Sequence, residues 1–187
     1  GNLTAVFQQS VKRMLAYSSI AQAGFMMFSL FALSKMAYEG LVLYAAAYSL
    51  ASIGIFAILV KMKDYTIDGF NGLGKQQPLL AVTATIFLLS LTGIPATAGF
   101  QSKFYMLMAA VQTGHHIWLV IFAVLCAAIS AYYYFRIIQA MFFKDSNDET
   151  ALTEDVTPEF KILLVITSFL IIVLGLFPEF LINWLYY

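Results

Sequence analysis

Apolar runs near twenty residues long recur along this chain, at about residues 14–33, 41–60, 78–113, 117–143 and 160–177. Crossing a hydrocarbon layer of ~30 Å at about 1.5 Å per residue takes roughly 20 apolar residues of helix, and in lipid every peptide group must be satisfied within its own segment. A closed barrel would show period-two alternation, and none is visible. The expected fold is an all-α polytopic membrane protein. With 61% hydrophobic and 11% charged residues, and a mean hydropathy of +0.84, the composition agrees. Ten basic and ten acidic side chains cancel, which leaves neither a basic face for nucleic acid nor a polybasic lipid anchor. The only cysteine, Cys126, lies inside an apolar run, so one thiol supplies no disulfide and no iron–sulfur ligand set.

Residues 1–10 read as the end of a preceding helix, and the chain reads as a carboxy-terminal portion of something larger. The stretch "KMKDYTIDGFNGLGKQQ" is a glycine-rich charged loop, and residues 144–159 form an acidic loop carrying Asp145, Asp148, Glu149, Glu154, Asp155 and Glu159. Pro178 ends the last span and leaves "EFLINWLYY" as an interfacial tail. The run 78–113 is ambiguous: its helix would measure about 54 Å, too long for one straight crossing and short for two with a turn. Loop charges arbitrate. Two crossings put five basic loop residues on one side (Lys12, Arg13, Lys61, Lys63, Lys75) and three on the other (Lys35, Lys144, Lys161). One broken crossing puts seven against one, with Lys35 alone on the far side, and the positive-inside rule prefers this split. Five crossings are therefore expected, the third discontinuous, with the basic and acidic loops cytoplasmic and the carboxy terminus outside.

Two cations lie at membrane depth, Lys103 and Arg136. A charge near the bilayer centre costs about 2.5–3.5 kcal/mol on the insertion scale, so such groups face a protein interior or a hydrated path. An amine, unlike a guanidinium, can shed and regain its proton, as a proton carrier must. Gly93, Pro95 and Gly99 precede Lys103 and can interrupt the helical ladder, freeing backbone groups for water or ions. Thr92, Thr97, Gln101, Ser102 and Tyr105 add polar groups nearby. The alternative is a lysine that snorkels to an interface behind a merely kinked helix. Arg136, two turns before the 144–159 loop, suits a fixed charge, either biasing a neighbouring carboxylate or holding a helix interface. Ser18, Ser19, Gln22, Tyr48, Ser49 and Ser52 read as interhelical hydrogen bonds or a water wire, Tyr132, Tyr133 and Tyr134 mostly as packing, and His115 and His116 as a solvated turn without a third metal ligand.

Three ordered motifs carry a resemblance: "QQSVKRMLAYSSIAQAGFMM" (8–27), "LLSLTGIPATAGFQSKFYML" (88–107) and "SAYYYFRIIQAMFF" (130–143). Together they resemble the carboxy-terminal part of the subunit N family of proton-pumping NADH:quinone oxidoreductase, respiratory complex I, within the antiporter-like (Mrp-type) superfamily. The resemblance implies a fourteen-helix subunit of which this chain holds the end of the ninth helix and helices ten to fourteen. It implies that Lys103, in "GFQSKFY", is the broken-helix lysine of the proton path. The M-type relative carries a glutamate there, and the L type adds intramembrane histidines that are missing here. The implied partners are the amino-terminal half of the same subunit, M-type and K-type neighbours, and lipid, in a bacterial inner membrane. No cofactor is expected on this chain; FMN, iron–sulfur clusters and quinone belong to partner subunits. The competing readings are a subunit of a sodium/proton antiporter or membrane-bound hydrogenase, and a structural membrane scaffold.

Overall fold

The computed structural model describes residues 1–114, 117–145, 151–152 and 156–186. His115, His116, Asp148, Glu149, Glu154 and Asp155 lie outside the described residues. The described chain is nearly all helix: α1 (Asn2–Val6), α2 (Val11–Met26), α3 (Ser29–Ala32), α4 (Lys35–Lys61), α5 (Leu73–Gln76), α6 (Pro78–Thr92), α7 (Ala98–Gln112), α8 (Ile117–Phe143), α9 (Pro158–Leu176) and α10 (Glu179–Ile182). Its only extended pairings among the described residues are two isolated bridges, Ser10 with Thr66 and Met62 with Leu152. Residues Val11–Ala32 (α2 continued by α3), α4, α8 and α9 are each long and apolar enough to cross a membrane. α6 and α7 have 15 residues each, about 22 Å of helix, so neither spans alone.

Local chemistry sets the helix ends. Ser34 caps α4 by accepting from the Ala37 amide at 3.2 Å, and Pro78 and Pro158 open α6 and α9 at positions where a missing N–H costs nothing. The expected loop at 61–77 is more ordered than its polar composition suggests. Ile67, Phe70 and Leu73 are buried, a 3₁₀ turn covers Asp68–Phe70, and the Val11 and Ile67 amides donate to the Tyr65 and Gln9 carbonyls at 2.7 and 2.9 Å. Three apolar side chains among polar neighbours are enough to fold this segment back under the bundle.

α4 lies along both α6 and α7, and α9 packs against α4, α6 and α7, so the junction between the two short helices is enclosed. The apolar core joins Ala51, Ile55 and Ile58 of α4 to Leu80, Ala84, Phe87 and Leu88 of α6 and to Tyr133, Tyr134 and Ile137 of α8. Outward faces of α8 and α9 expose Ile121, Phe122, Leu125, Ile166 and Phe169, as expected where lipid or other helices take the place of water.

Candidate functional site

α6 ends at Gly93, whose φ of +89° reverses the chain in the left-handed region. The Gly93 amide donates to the Leu89 and Ser90 carbonyls at 2.9 and 3.1 Å, and the Ile94 amide donates to the Leu89 carbonyl at 3.0 Å. This cap satisfies two of the last carbonyls and leaves those of Leu91 and Thr92 without backbone partners. Pro95 and Ala96 continue the non-helical link, Ala96 with a φ of +73°. Thr97 then caps α7: its hydroxyl accepts from the Phe100 amide at 3.4 Å and donates to the Ile94 carbonyl at 2.7 Å. Gly175 of α9 lies flat on this link, where a Cβ would come within 2.4 Å of the Thr97 carbonyl carbon.

Lys103 is the sixth residue of α7, and helical side chains lean toward the helix N-terminus, so its stem turns back toward the break. Its Nζ donates to the Leu91 carbonyl at 2.9 Å and to the Thr92 carbonyl at 3.0 Å, the two oxygens left by the cap. The ammonium also sits over the Phe25 ring, 4.6 Å from its centroid, and only 6% of the residue is exposed. No carboxylate among the described residues lies within ion-pair distance of it. Its charge is met instead by two peptide dipoles, the negative end of a half-helix and an aromatic face. Gly93 is needed twice, because a Cβ there would press within 3.0 Å of Lys103 Cδ. A cavity of about 350 Å³ opens beside the lysine, walled by Phe25, Thr92, Phe104, Leu107 and Val124.

Gln22 of α2 is the hub that the sequence reading treated as one polar group among several. Its Nε2 donates to the Leu91 carbonyl at 3.0 Å, sharing that oxygen with Lys103, and to the Tyr134 hydroxyl at 3.1 Å. Its Oε1 accepts from the Tyr44 hydroxyl, and Tyr134 is hydrogen-bonded in turn to Ser18. Four helices, α2, α4, α6 and α8, are thus joined around one amide. Beyond it the Tyr133 hydroxyl donates to Asn2 Oδ1 at 2.9 Å, and Asn2 Nδ2 donates to the Cys126 carbonyl at 2.8 Å. A usable sequence signal was the spacing of Ser18, Gln22 and Phe25, which places all three on one face of α2. Tyr134 acts as a polar ligand as well as packing.

The other candidate residues are dispersed. Gly99 does not interrupt a helix: it lies in the first turn of α7, where a Cβ would fall 1.9 Å from the Ser90 carbonyl oxygen, and its amide donates to Ser90 Oγ at 3.2 Å. Its role is close approach between α6 and α7. Ser102 is buried but bonds its own helix, donating to the Ala98 and Gly99 carbonyls. Gln101 and Tyr105 are half-buried, and their side chains make no hydrogen bond to another described residue. Arg136 stands elsewhere, with Nη1 on the Val6 carbonyl and Nη2 on Gln9 Oε1, each at 3.0 Å, so it is not part of the lysine's surroundings.

The chain is 38% identical over 189 residues to NADH-quinone oxidoreductase subunit N 1 of Solibacter usitatus, covering 98% of this chain and 39% of the relative. It is 39% identical over 187 residues to NADH-quinone oxidoreductase subunit N of Cytophaga hutchinsonii, covering 98% and 40%. Among solved structures it superposes on a chain of respiratory complex I from Thermus thermophilus with a TM-score of 0.81 and 32% identity, covering 97% of this chain and 42% of that one. A chain of the Mrp complex from a Dietzia species gives 0.82 at 18% identity, with the same 97% and 42% coverage, a likeness of fold alone. The chain therefore spans about two fifths of the length of these relatives. Residues 1–130 match the family described as NADH:quinone oxidoreductase/Mrp antiporter, TM, and with helices, broken junction and buried cation in view, the chain belongs to that family.

Proposed function

We infer that this chain is the carboxy-terminal section of an ion-translocating membrane subunit of NADH:quinone oxidoreductase, and that Lys103 is the group that holds and releases the proton. The observation that carries this reading is an ammonium buried against two half-helix carbonyls that lack backbone partners, with an aromatic face and, among the described residues, no carboxylate to fix its charge. Carbonyl oxygens stabilise a cation without taking its proton, so the seat holds charge rather than passing it on. Release then requires the amine to leave Leu91 and Thr92 and meet water or a basic group, and the adjoining 350 Å³ cavity is space for that movement. Redox chemistry, with FMN, iron–sulfur clusters and quinone, belongs to other subunits. The basic loops face the cytoplasm of a bacterial inner membrane, the carboxy terminus faces outward, and M-type and K-type subunits are the neighbours.

Lys103→Met in the full complex tests the role. The expected result is a sharp loss of proton pumping per NADH oxidised in reconstituted vesicles; wild-type stoichiometry would overturn the assignment. A second reading, a subunit of a sodium/proton antiporter or a membrane-bound hydrogenase, is supported by the family's description, which spans both oxidoreductase and antiporter. Co-purification separates the two, since NADH-oxidising flavin and iron–sulfur subunits accompany only the first. A scaffold role predicts altered assembly with transport intact.

A further inference from the structure

Arg136 presents a guanidinium anchored on one side only. Two of its five N–H groups go to neutral acceptors, the Val6 carbonyl and Gln9 Oε1, and no described carboxylate lies within ion-pair distance. It lies on α8, which ends at Phe143, seven residues further along and about 10 Å away. Between Arg136 and Lys144 lies a pocket of about 210 Å³, lined also by Gln9, Gln139, Asp68 and Ile67. Five of those six residues are polar. Asp68 pairs with Lys144 at 3.4 Å, so among the described residues lining the pocket two cations face one anion. The volume is below the ~300–1,000 Å³ of pockets for drug-sized ligands and suits a head group.

The surface beside the pocket is apolar and aromatic. Tyr132, Phe135 and Phe143 are exposed, 45% in the case of Phe135 and 82% in that of Phe143. At 100° per residue they share the side of α8 opposite buried Tyr133, Ile137 and Ala140, and Arg136 falls on the boundary between the two sides. A cationic pocket at a helix end above an outward hydrocarbon-compatible strip is the layout of a phospholipid: phosphate in the pocket, acyl chains on the rings. A guanidinium with three donors that no described residue accepts from, flanked by two amides and an ammonium, matches the oxygens of a phosphodiester.

We propose that the pocket between Arg136 and Lys144 binds the phosphate of an anionic membrane phospholipid, whose chains run inward from it along Tyr132 and Phe135. The proposal rests on the membrane reading of this chain and is independent of the role given to Lys103.

The test uses the full complex, purified in detergent, stripped of loosely held lipid and incubated with phosphatidylglycerol carrying a diazirine in one acyl chain. After irradiation, the peptide spanning residues 132–143 should be labelled. Unlabelled phosphatidylglycerol should compete; phosphatidylcholine and inorganic phosphate should not. Arg136→Gln should lower labelling about tenfold, the loss of one charge-assisted hydrogen bond, and Arg136→Lys should recover part of it. Labelling of the same peptide by a diazirine phosphatidylcholine should be unchanged, which reports an intact helix. If Arg136→Gln does not assemble, Lys144→Gln is read instead, and it should also weaken labelling. Equal labelling by both lipids, or indifference to the substitutions, overturns the proposal. Competition by inorganic phosphate makes this a free-anion site, and an unlabelled strip means that protein covers it; either outcome also overturns it. Lys103→Met should label like the wild type, so failure here and failure of the proton-carrier role are separate results.

Discussion

The substitution Gly99→Ala tests whether the contact between the two short helices holds the lysine in place. The added Cβ would lie 1.9 Å from the Ser90 carbonyl oxygen and 2.7 Å from its carbon. A carbon–oxygen contact relaxes near 3.3 Å, so the helices must part locally by on the order of 1.4 Å. Overpacking of this kind costs about 1–3 kcal/mol, and stretching the 3.2 Å bond from the Gly99 amide to Ser90 Oγ removes about 0.5–1.5 kcal/mol. Replacing glycine by alanine in a helix returns about 0.5–1 kcal/mol, which leaves a net destabilisation of about 0.5–4 kcal/mol. The shift has a second effect. Lys103 is four residues further along the same helix, and its two bonds at 2.9 and 3.0 Å reach across the gap that widens. The amine can re-extend toward one carbonyl but not both, and losing one charged hydrogen bond costs about 1.5–3 kcal/mol. Thermal unfolding of the full complex and proton pumping per NADH in vesicles should both fall. Gly24→Ala is the control, because nothing lies within 4 Å of a Cβ there. It should hold or gain stability and pump normally. A Gly99→Ala complex that melts and pumps like the control would refute the argument that this approach positions the lysine.

Gln22→Leu should strand the buried Tyr44 hydroxyl, at about 1–3 kcal/mol for a group left unsatisfied, while Tyr134 keeps its bond to Ser18, and lower the apparent melting temperature of the complex; an unchanged melting curve would show that the amide hub is not formed. Ala96→Gly relieves a left-handed alanine worth about 1–2 kcal/mol against the glycine's added chain entropy of about 0.5–1 kcal/mol, so a gain of up to about 1.5 kcal/mol should appear in the same melting assay, and a loss would contradict the backbone reading at φ +73°.

Much of the helical framework was readable because membrane spans announce themselves by length and apolarity, and Gly93 followed closely by Pro95 is a combination that a continuous helix tolerates poorly. The lysine stood out for the same reason that any charge does in hydrocarbon. Its partners did not. Leu91 and Thr92 contribute peptide oxygens, and a main-chain acceptor leaves no mark in the identity of a side chain. The Gln22 hub joins residues 22, 44, 91 and 134, which meet only once four helices pack, and within "AYYYF" periodicity cannot say which ring bears a polar role. Gly99 was visible as a glycine near the break, but whether a glycine bends a helix or admits a neighbour is decided by what lies opposite. Gly175 is the same case, silent until the link at residues 96–98 is seen against it.

Both oxygens that receive the amine of Lys103 belong to the peptide chain itself. No point mutation at position 91 or 92 can delete them, short of a change that moves the end of α6. The docking point is consequently insulated from drift in the residues that bear it, while the amine it receives is exposed to a single codon change. Anyone redesigning this region to shift the cation by one turn would have to relocate Gly93, since the stop signal, rather than any ligand, writes the address.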